Sequence, residues 1–453
     1  MQLAPPNPTA KSTHYAEKPS IFPAGQMLPF MLTTLIFFVW GMSNNLTDIL
    51  VQQFRKSFEL SLLQAQLVQT AVFLAYGTLA IPGALIMRRF GYKAGLLIGL
   101  IVFGTGTLLF WPAAILGQYT PFLIALFIVG SGSSILETAA NPLVARFGDP
   151  DSAERRLNFS QAFNPPGAIV GAFTGTLFIF SGVEKTPIQV AAMKAEGTYA
   201  AYVHGEILRV VPTFVALGLF VLLLALLIGI TRFPIIRDSQ IEIDIAEIQP
   251  TESWHTVLAR LIRNPRLMFA VVAQFFYVGA QIASWSTLIP YMRTYTTVTE
   301  KAAGYFLTGS LVAMALGRAV CTWLMRYIAP GKLIGIYAVI NFALLCVGFS
   351  SPGMIGSYAI VLTSFFMSGM YPTIFALGVH GLGEDTKLGG SLLVIGISGG
   401  AFFPPLMGWI TRLTGSTALG YILPAIGYIV VALYAITVSR GNREKHQPSA
   451  QPA

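Results

Sequence analysis

Of the 19 Asp and Glu residues in this 453-residue chain, all but Asp48 and Glu137 fall in polar tails, loops or the ends of apolar segments. Both exceptions have polar company at helical spacing. Trp40, Asn44 and Asp48 stand at i, i+4 and i+8, within an arc of about 80° on one helix face. Glu137 and Asn141 are four apart, Gln161 and Asn164 three apart, and Tyr277, Gln281 and Trp285 form another four-spaced stripe with Gln274 one turn earlier. Amide and carboxylate side chains pair with hydroxyl groups, and the face of a Trp or Tyr ring covers the apolar C–H face of a sugar. The inventory therefore suits a neutral polyhydroxylated ligand. An anionic one would call for a cluster of Arg or Lys, whereas Arg318 is the lone basic residue deep in an apolar segment.

The two acids invite a second chemistry. A carboxylate in low-dielectric surroundings is disfavoured as an ion, so it can exchange a proton near neutral pH and couple transport to a proton gradient. A proton moving with the membrane potential releases about 2.3 kcal/mol per 100 mV, which drives a neutral solute uphill. Sodium coupling would need several oxygen ligands at one point and stays open.

The elements that position these residues must cross a membrane. The chain is 54% apolar and 10% charged, with a mean hydropathy of +0.67, outside the usual range of a water-soluble domain. Windows of about 20 residues, the length of a helix that crosses the hydrocarbon slab, pick out twelve spans: 27–54, 62–87, 93–116, 119–146, 156–181, 208–231, 266–293, 302–326, 331–350, 354–380, 386–412 and 418–439. The expected fold is an all-α integral membrane protein of twelve transmembrane helices. A long gap after the sixth span divides it into bundles at 27–232 and 266–439, joined by a cytoplasmic linker at 233–265, with cytoplasmic tails at 1–26 and 440–453.

Basic residues mark the cytoplasmic side of short loops. With both termini inside, 19 of the 28 Lys and Arg fall in inner segments and 8 in outer ones, Arg318 being left within a span. This scatter over short loops explains the pI near 9.5 and argues against a nucleic-acid partner. The first 25 residues lack the pattern of a removable signal peptide. Cys321 and Cys346 sit inside spans, where a disulfide or structural metal site is not expected; no motif calls for a metal or a cofactor, and the chain is not read as an enzyme. "GYKAG", "GAIVG" and "GISGG" place small residues four apart, which lets helix backbones approach closely. The segments at Phe37 and Phe275, and those around Pro142 and Pro372, hint at a duplication of the kind from which transporters are built.

Structural readings compete with these. Asp48, near the end of its span, could face outer water, and Glu137 could be an anchor between helices. The amides could be packing glue, and Trp40 and Trp285 could face lipid. Arg318 is read as stabilising the inner end of its span or reaching for headgroups, and His380 as a residue beside a loop.

The segments "FFVWGMSNNLTDIL", "LETAANPLV", "RLNFSQAFNPPGAIVG", "AQFFYVGAQIASWSTLI" and "YPTIFALGVHGLGEDTKLGGS", in order from Phe37 to Ser391, resemble the fucose/galactose/glucose sugar-symporter branch of the major facilitator superfamily. The resemblance implies two six-helix bundles that rock about a central sugar site, and proton-coupled uptake of L-fucose or a related hexose across a bacterial inner membrane by a monomer. It also implies a proton-coupling role for Asp48, sugar binding and coupling for Glu137, and a cavity position for Asn44, Asn45, Gln161 and Asn164. Met370 before Tyr371 and the pair Pro165-Pro166 depart from the branch's motifs, which leaves the sugar open among deoxyhexoses, hexoses and amino sugars. A facilitator or exporter of another neutral polyol, or a sugar sensor without transport, are the competing functions.

Overall fold

Inside a bilayer each backbone N–H and C=O has to find its partner within the protein, and a helix does so within one segment. The computed structural model describes residues 22, 25–148, 153–183, 185–233, 254–382 and 386–444, and among these no strand occurs. The expected tails up to residue 21 and beyond 444, and residues 234–253 of the expected linker, lie outside the described residues, with Lys11, Lys18, Arg237 and Lys445.

The first half comprises α1 (Met27–Ser57), α2 (Leu62–Ala65), α3 (Leu67–Leu108), α4 (Phe110–Leu116), α5 (Tyr119–Ala145), α6 (Ala153–Gln161), α7 (Asn164–Thr174), α8 (Pro187–Ala195), α9 (Tyr199–Leu208) and α10 (Val210–Ile230). A short α11 (Trp254–Ile262) leads into the second half, made of α12 (Pro265–Tyr295), α13 (Glu300–Leu324), α14 (Pro330–Ser350), α15 (Met354–Met367), α16 (Met370–Val379), α17 (Thr386–Ile395), α18 (Gly399–Thr414), α19 (Thr417–Gly420) and α20 (Ile422–Glu444). Among the described residues, 11 helical runs are long and apolar enough to cross a membrane.

The crossing expected at 156–181 is not one continuous helix. It is built from α6, a turn at Ala162–Phe163, α7 and a π-helical turn at Gly175–Ile179. Pro165 and Pro166 lie in the first turn of α7; without N–H groups they suit a helix start, and they cannot continue a helix through from α6. The long gap after this crossing is helical as well, since α8 and α9 fill it, and Thr186 with Gln189 forms a capping box on α8.

Glycines of two of the four-spaced motifs have different roles. A Cβ on Gly167 or Gly171 would run into the backbone carbonyls of Phe38 and Met42, so α7 lies directly on the α1 backbone, the close approach that their spacing suggests. Gly91 has open space where a Cβ would go; it holds φ 82° and ψ 170° at the bend that divides α3 into two crossings, a conformation glycine adopts without strain. It shapes the turn and packs against nothing.

On α10, Phe214, Leu217, Val221, Leu224 and Ile228 are buried while Leu219, Leu223, Leu226 and Ile230 are exposed. A helix apolar on all sides, buried along one, is suited to lipid along the other. The halves meet along α1 with α12, α3 with α18 and α7 with α13. The hydrogen bonds described between them gather toward the end of the molecule that carries Lys56: Gln52 and Lys56 to Glu300, Gln66 to Thr287, and Thr70 to the Ala401 carbonyl.

Candidate functional site

Stripes on α1 and α3 face one another as an antiparallel ladder. At one rung Gln69 Nε2 donates to Asp48 Oδ1 at 2.8 Å. At the next, Trp40 Nε1 donates to the Tyr76 hydroxyl, with Asn44 beside that hydroxyl. Seven or eight residues separate the rungs on each helix, about 11 to 12 Å along the axis. The Thr47 hydroxyl, which donates to the Asn44 carbonyl, also lies 3.4 Å from Gln69 Oε1, on the side of the amide away from Asp48. Asp48 is 3% exposed, and the reading that turns it to outer water fails.

Glu137, part-buried on α5, lies within electrostatic reach of the Tyr76 hydroxyl and of Tyr371 on α16, in the other half. Its Oε2 has no hydrogen-bond partner among the described residues. Such an oxygen in the interior is costly unless a proton or a ligand hydroxyl serves it. Below it, Asn141 Nδ2 donates to the Glu137 carbonyl at 3.0 Å and Gln161 Nε2 to Asn141 Oδ1 at 3.3 Å, a chain that ties α5 to α6. Two amides hold backbone instead. Asn164 Nδ2 donates to the Phe37 carbonyl at 3.4 Å and Asn45 Nδ2 to the Gly41 carbonyl at 3.0 Å.

The second half supplies rings and hydroxyls. Trp285 is 7% exposed, so it does not face lipid; its Nε1 donates to Ser364 Oγ at 3.1 Å, and Ser364 in turn bonds Ser310. One turn away, the Gln281 amide meets the Met314 sulfur at 3.9 Å among the described residues, a weak acceptor that leaves its amide available. Tyr277 is spent on structure, donating to the Met367 carbonyl at 3.0 Å. Gln274 is wholly buried, neither amide atom has a partner among the described residues, and its stem packs on Gly396.

Arg318 does not reach for headgroups: its Nε donates to the Ser368 carbonyl at 3.3 Å, in the turn between α15 and α16, near Tyr277. His380 caps the end of α16 and is exposed.

Sequence reasoning passed over Gln69, Tyr76, Ser364 and Tyr371. The signal for the first two is present, since Gln69, Phe73 and Tyr76 follow i, i+4, i+7 within an apolar segment. Neither carries a charge, and no count of acids finds them. Tyr371 stands in one of the motifs quoted above, but that it faces Glu137 is decided by how the halves meet.

Comparison with known proteins agrees with this architecture. The profile of the Major Facilitator Superfamily matches residues 31–392. The chain is 39% identical over 410 residues to the L-fucose-proton symporter of Escherichia coli (strain K12), covering 90% of this chain and 92% of that protein. It is 32% identical over 419 residues to a glucose/galactose transporter of Brucella abortus biovar 1 (strain 9-941), covering 91% and 94%. A solved transporter structure of the superfamily in the outward conformation superposes with a TM-score of 0.69 at 39% identity, covering 90% of this chain and 98% of that one.

Proposed function

The chain belongs to the Major Facilitator Superfamily, and from that premise we propose that it takes up a neutral monosaccharide, L-fucose or a related hexose, together with a proton by alternating access. It is a multi-pass membrane protein. The observation that carries the reading is the ladder of Asp48–Gln69 and Trp40–Tyr76 beside Glu137: two enclosed acids, one held by an amide and the other with an unpartnered oxygen, within reach of aromatic rings from both halves.

In this proposal Asp48 is the proton-coupling carboxyl. Gln69 holds it in place, and a proton on it removes the cost of moving a charge through a non-aqueous interior. Glu137, with Tyr76, Tyr371 and Gln281, would hold the sugar hydroxyls, and Trp40 and Trp285 would cover its C–H face. Asn44, Asn141 and Gln161 would complete the polar wall; Asn45, Asn164, Gln274 and Tyr277 would support it from behind. The basic residues of the short loops support a cytoplasmic location for both termini, in a bacterial inner membrane, with bundles at 27–232 and 266–439 acting in one monomer. The Lys56 end would then face outward, and the structure with its halves joined there would be the inward-facing state.

The test is uptake of a panel of radiolabelled monosaccharides into cells that express this chain, with the external pH recorded. Symport predicts accumulation of one sugar class and alkalinisation of the medium on its addition. Accumulation without alkalinisation would remove the proton from the mechanism, and equilibration without accumulation would make the chain a facilitator.

A further inference from the structure

The four-residue spacing of Trp40, Asn44 and Asp48 continues along α1 through Gln52 to Lys56. At that end the two halves share an ionic cluster whose two acids are buried and whose lysine is half-buried. Lys56 Nζ lies 2.6 Å from Glu206 Oε2, on α9 of its own half, and 3.1 Å from Glu300 Oε2, on α13 of the other. Gln52 Nε2 donates to Glu300 Oε1 at 3.1 Å. Glu206 is 6% and Glu300 3% exposed. Gln53 Nε2 donates to the Glu206 carbonyl at 2.8 Å, which holds α9 against α1 and so fixes the partner that orients Lys56.

We propose that this cluster is the latch that sets how long the Lys56 end stays closed during transport, with Glu300 as its moving part. Any motion that separates the halves at this end must strip Glu300 from both Lys56 and Gln52, whereas Glu206 and Lys56 travel together. Lys56 sits in the last turn of α1 and Glu300 in the first turn of α13, where the helix termini favour a cation and an anion respectively. Both charges are therefore tolerated apart as well as together. Water regained by Glu300 on opening offsets much of the lost pairing, so the pair adjusts the balance of two states and does not weld one. The other contacts of this end carry no charge pair: Gln66 bonds Thr287, a Cβ on Gly304 would meet Thr176, and the Lys301 stem packs near Gly182.

The inference rests on the alternating-access reading, and its test needs neither sugar nor proton. Spin labels on Leu116→Cys and Leu413→Cys, exposed positions on the two halves at this end, would report their separation by pulsed electron resonance in the full-length protein with Cys321→Ala and Cys346→Ala. Glu300→Gln keeps shape and the Gln52 contact but removes the charge; it and Lys56→Met should each raise the ratio of open to closed distances about tenfold, and the double variant no further than either one. An unchanged distribution in a folded Glu300→Gln protein overturns the latch. Should Glu300→Gln not fold, Glu300→Asp, which keeps the charge and withdraws it by one methylene, is expected to shift the ratio the same way by a smaller factor, and no shift there is equally fatal. A chain that accumulates no sugar yet opens on Glu300→Gln would refute the transport reading while leaving the latch in place.

Discussion

The two walls of the site differ in kind. The first half brings Asp48 and Glu137, an amide ladder and a tyrosine; the second brings Trp285 tied to Ser364, a loosely held Gln281 and Tyr371, with the half-buried Arg318 turned to a backbone carbonyl. Both acids are thus on one side, while aromatic rings come from both, Trp40 from the first half and Trp285 from the second. Proton coupling and sugar selectivity should therefore fail separately when the walls are altered one at a time.

Asp48→Asn should have the largest effect, because it removes the titratable group while its remaining oxygen still accepts from Gln69. Accumulation should fall to equilibrium with the medium, and counterflow exchange should persist. In the parent protein uptake should rise as external pH falls, since a lower pH fills the carboxyl and enlarges the inward proton gradient; the variant should lose that dependence. Normal accumulation by Asp48→Asn would take the residue out of the coupling role and dissolve the contrast between the walls.

Glu137→Gln should come next. Loss of a charged acceptor for a ligand hydroxyl costs about 1.5–3 kcal/mol, read as a rise of roughly 10- to 100-fold in the dissociation constant measured by sugar-induced change in Trp fluorescence. Unaltered affinity would demote Glu137 to an anchor between helices. Trp285→Ala should weaken binding about tenfold through the lost ring face, and Trp285→Phe less, with the pH dependence of uptake intact in both; a changed pH profile would mean that the second wall also handles the proton.

The smallest effect is expected at the surface of the first half, where Lys194 Nζ lies 2.7 Å from Glu59 Oε1 in the open. The hydrogen bond from Lys194, and then that from Tyr199, holds the Glu59 carboxyl below the usual carboxylate range. A depressed folded-state value means that its stabilisation is present at neutral pH and fades as pH falls through that value. The pair is solvent-screened, so Glu59→Gln should shift thermal stability at pH 7 by less than about 0.5 kcal/mol, in contrast to the more enclosed Lys56–Glu300 pair.

Much of this was legible in the chain. Apolar windows gave the crossings, because a bilayer imposes a minimum length of apolar helix. The acid count found Asp48 and Glu137, because a carboxylate there is too costly to be incidental. The break at Ala162–Phe163 could be suspected from Pro165-Pro166, but the π turn and the short helices α8 and α9 could not, since neither is long enough to leave an apolar run of its own. Gly91 and Gly171 look alike in sequence, and one serves a turn and the other a helix contact.

By itself the sequence determined that the chain spans a membrane and set Asp48 and Glu137 within its spans, because hydrocarbon penalises each exposed polar group locally, residue by residue; that Glu206 and Glu300 are enclosed as well came only with the tertiary structure. Which amide faces which acid, that Tyr371 looks across at Glu137, and that Lys56 is shared between Glu206 and Glu300 were decided only by the tertiary structure. Those pairings join residues from 21 to 244 positions apart, and no local periodicity encodes how two bundles come to rest against each other.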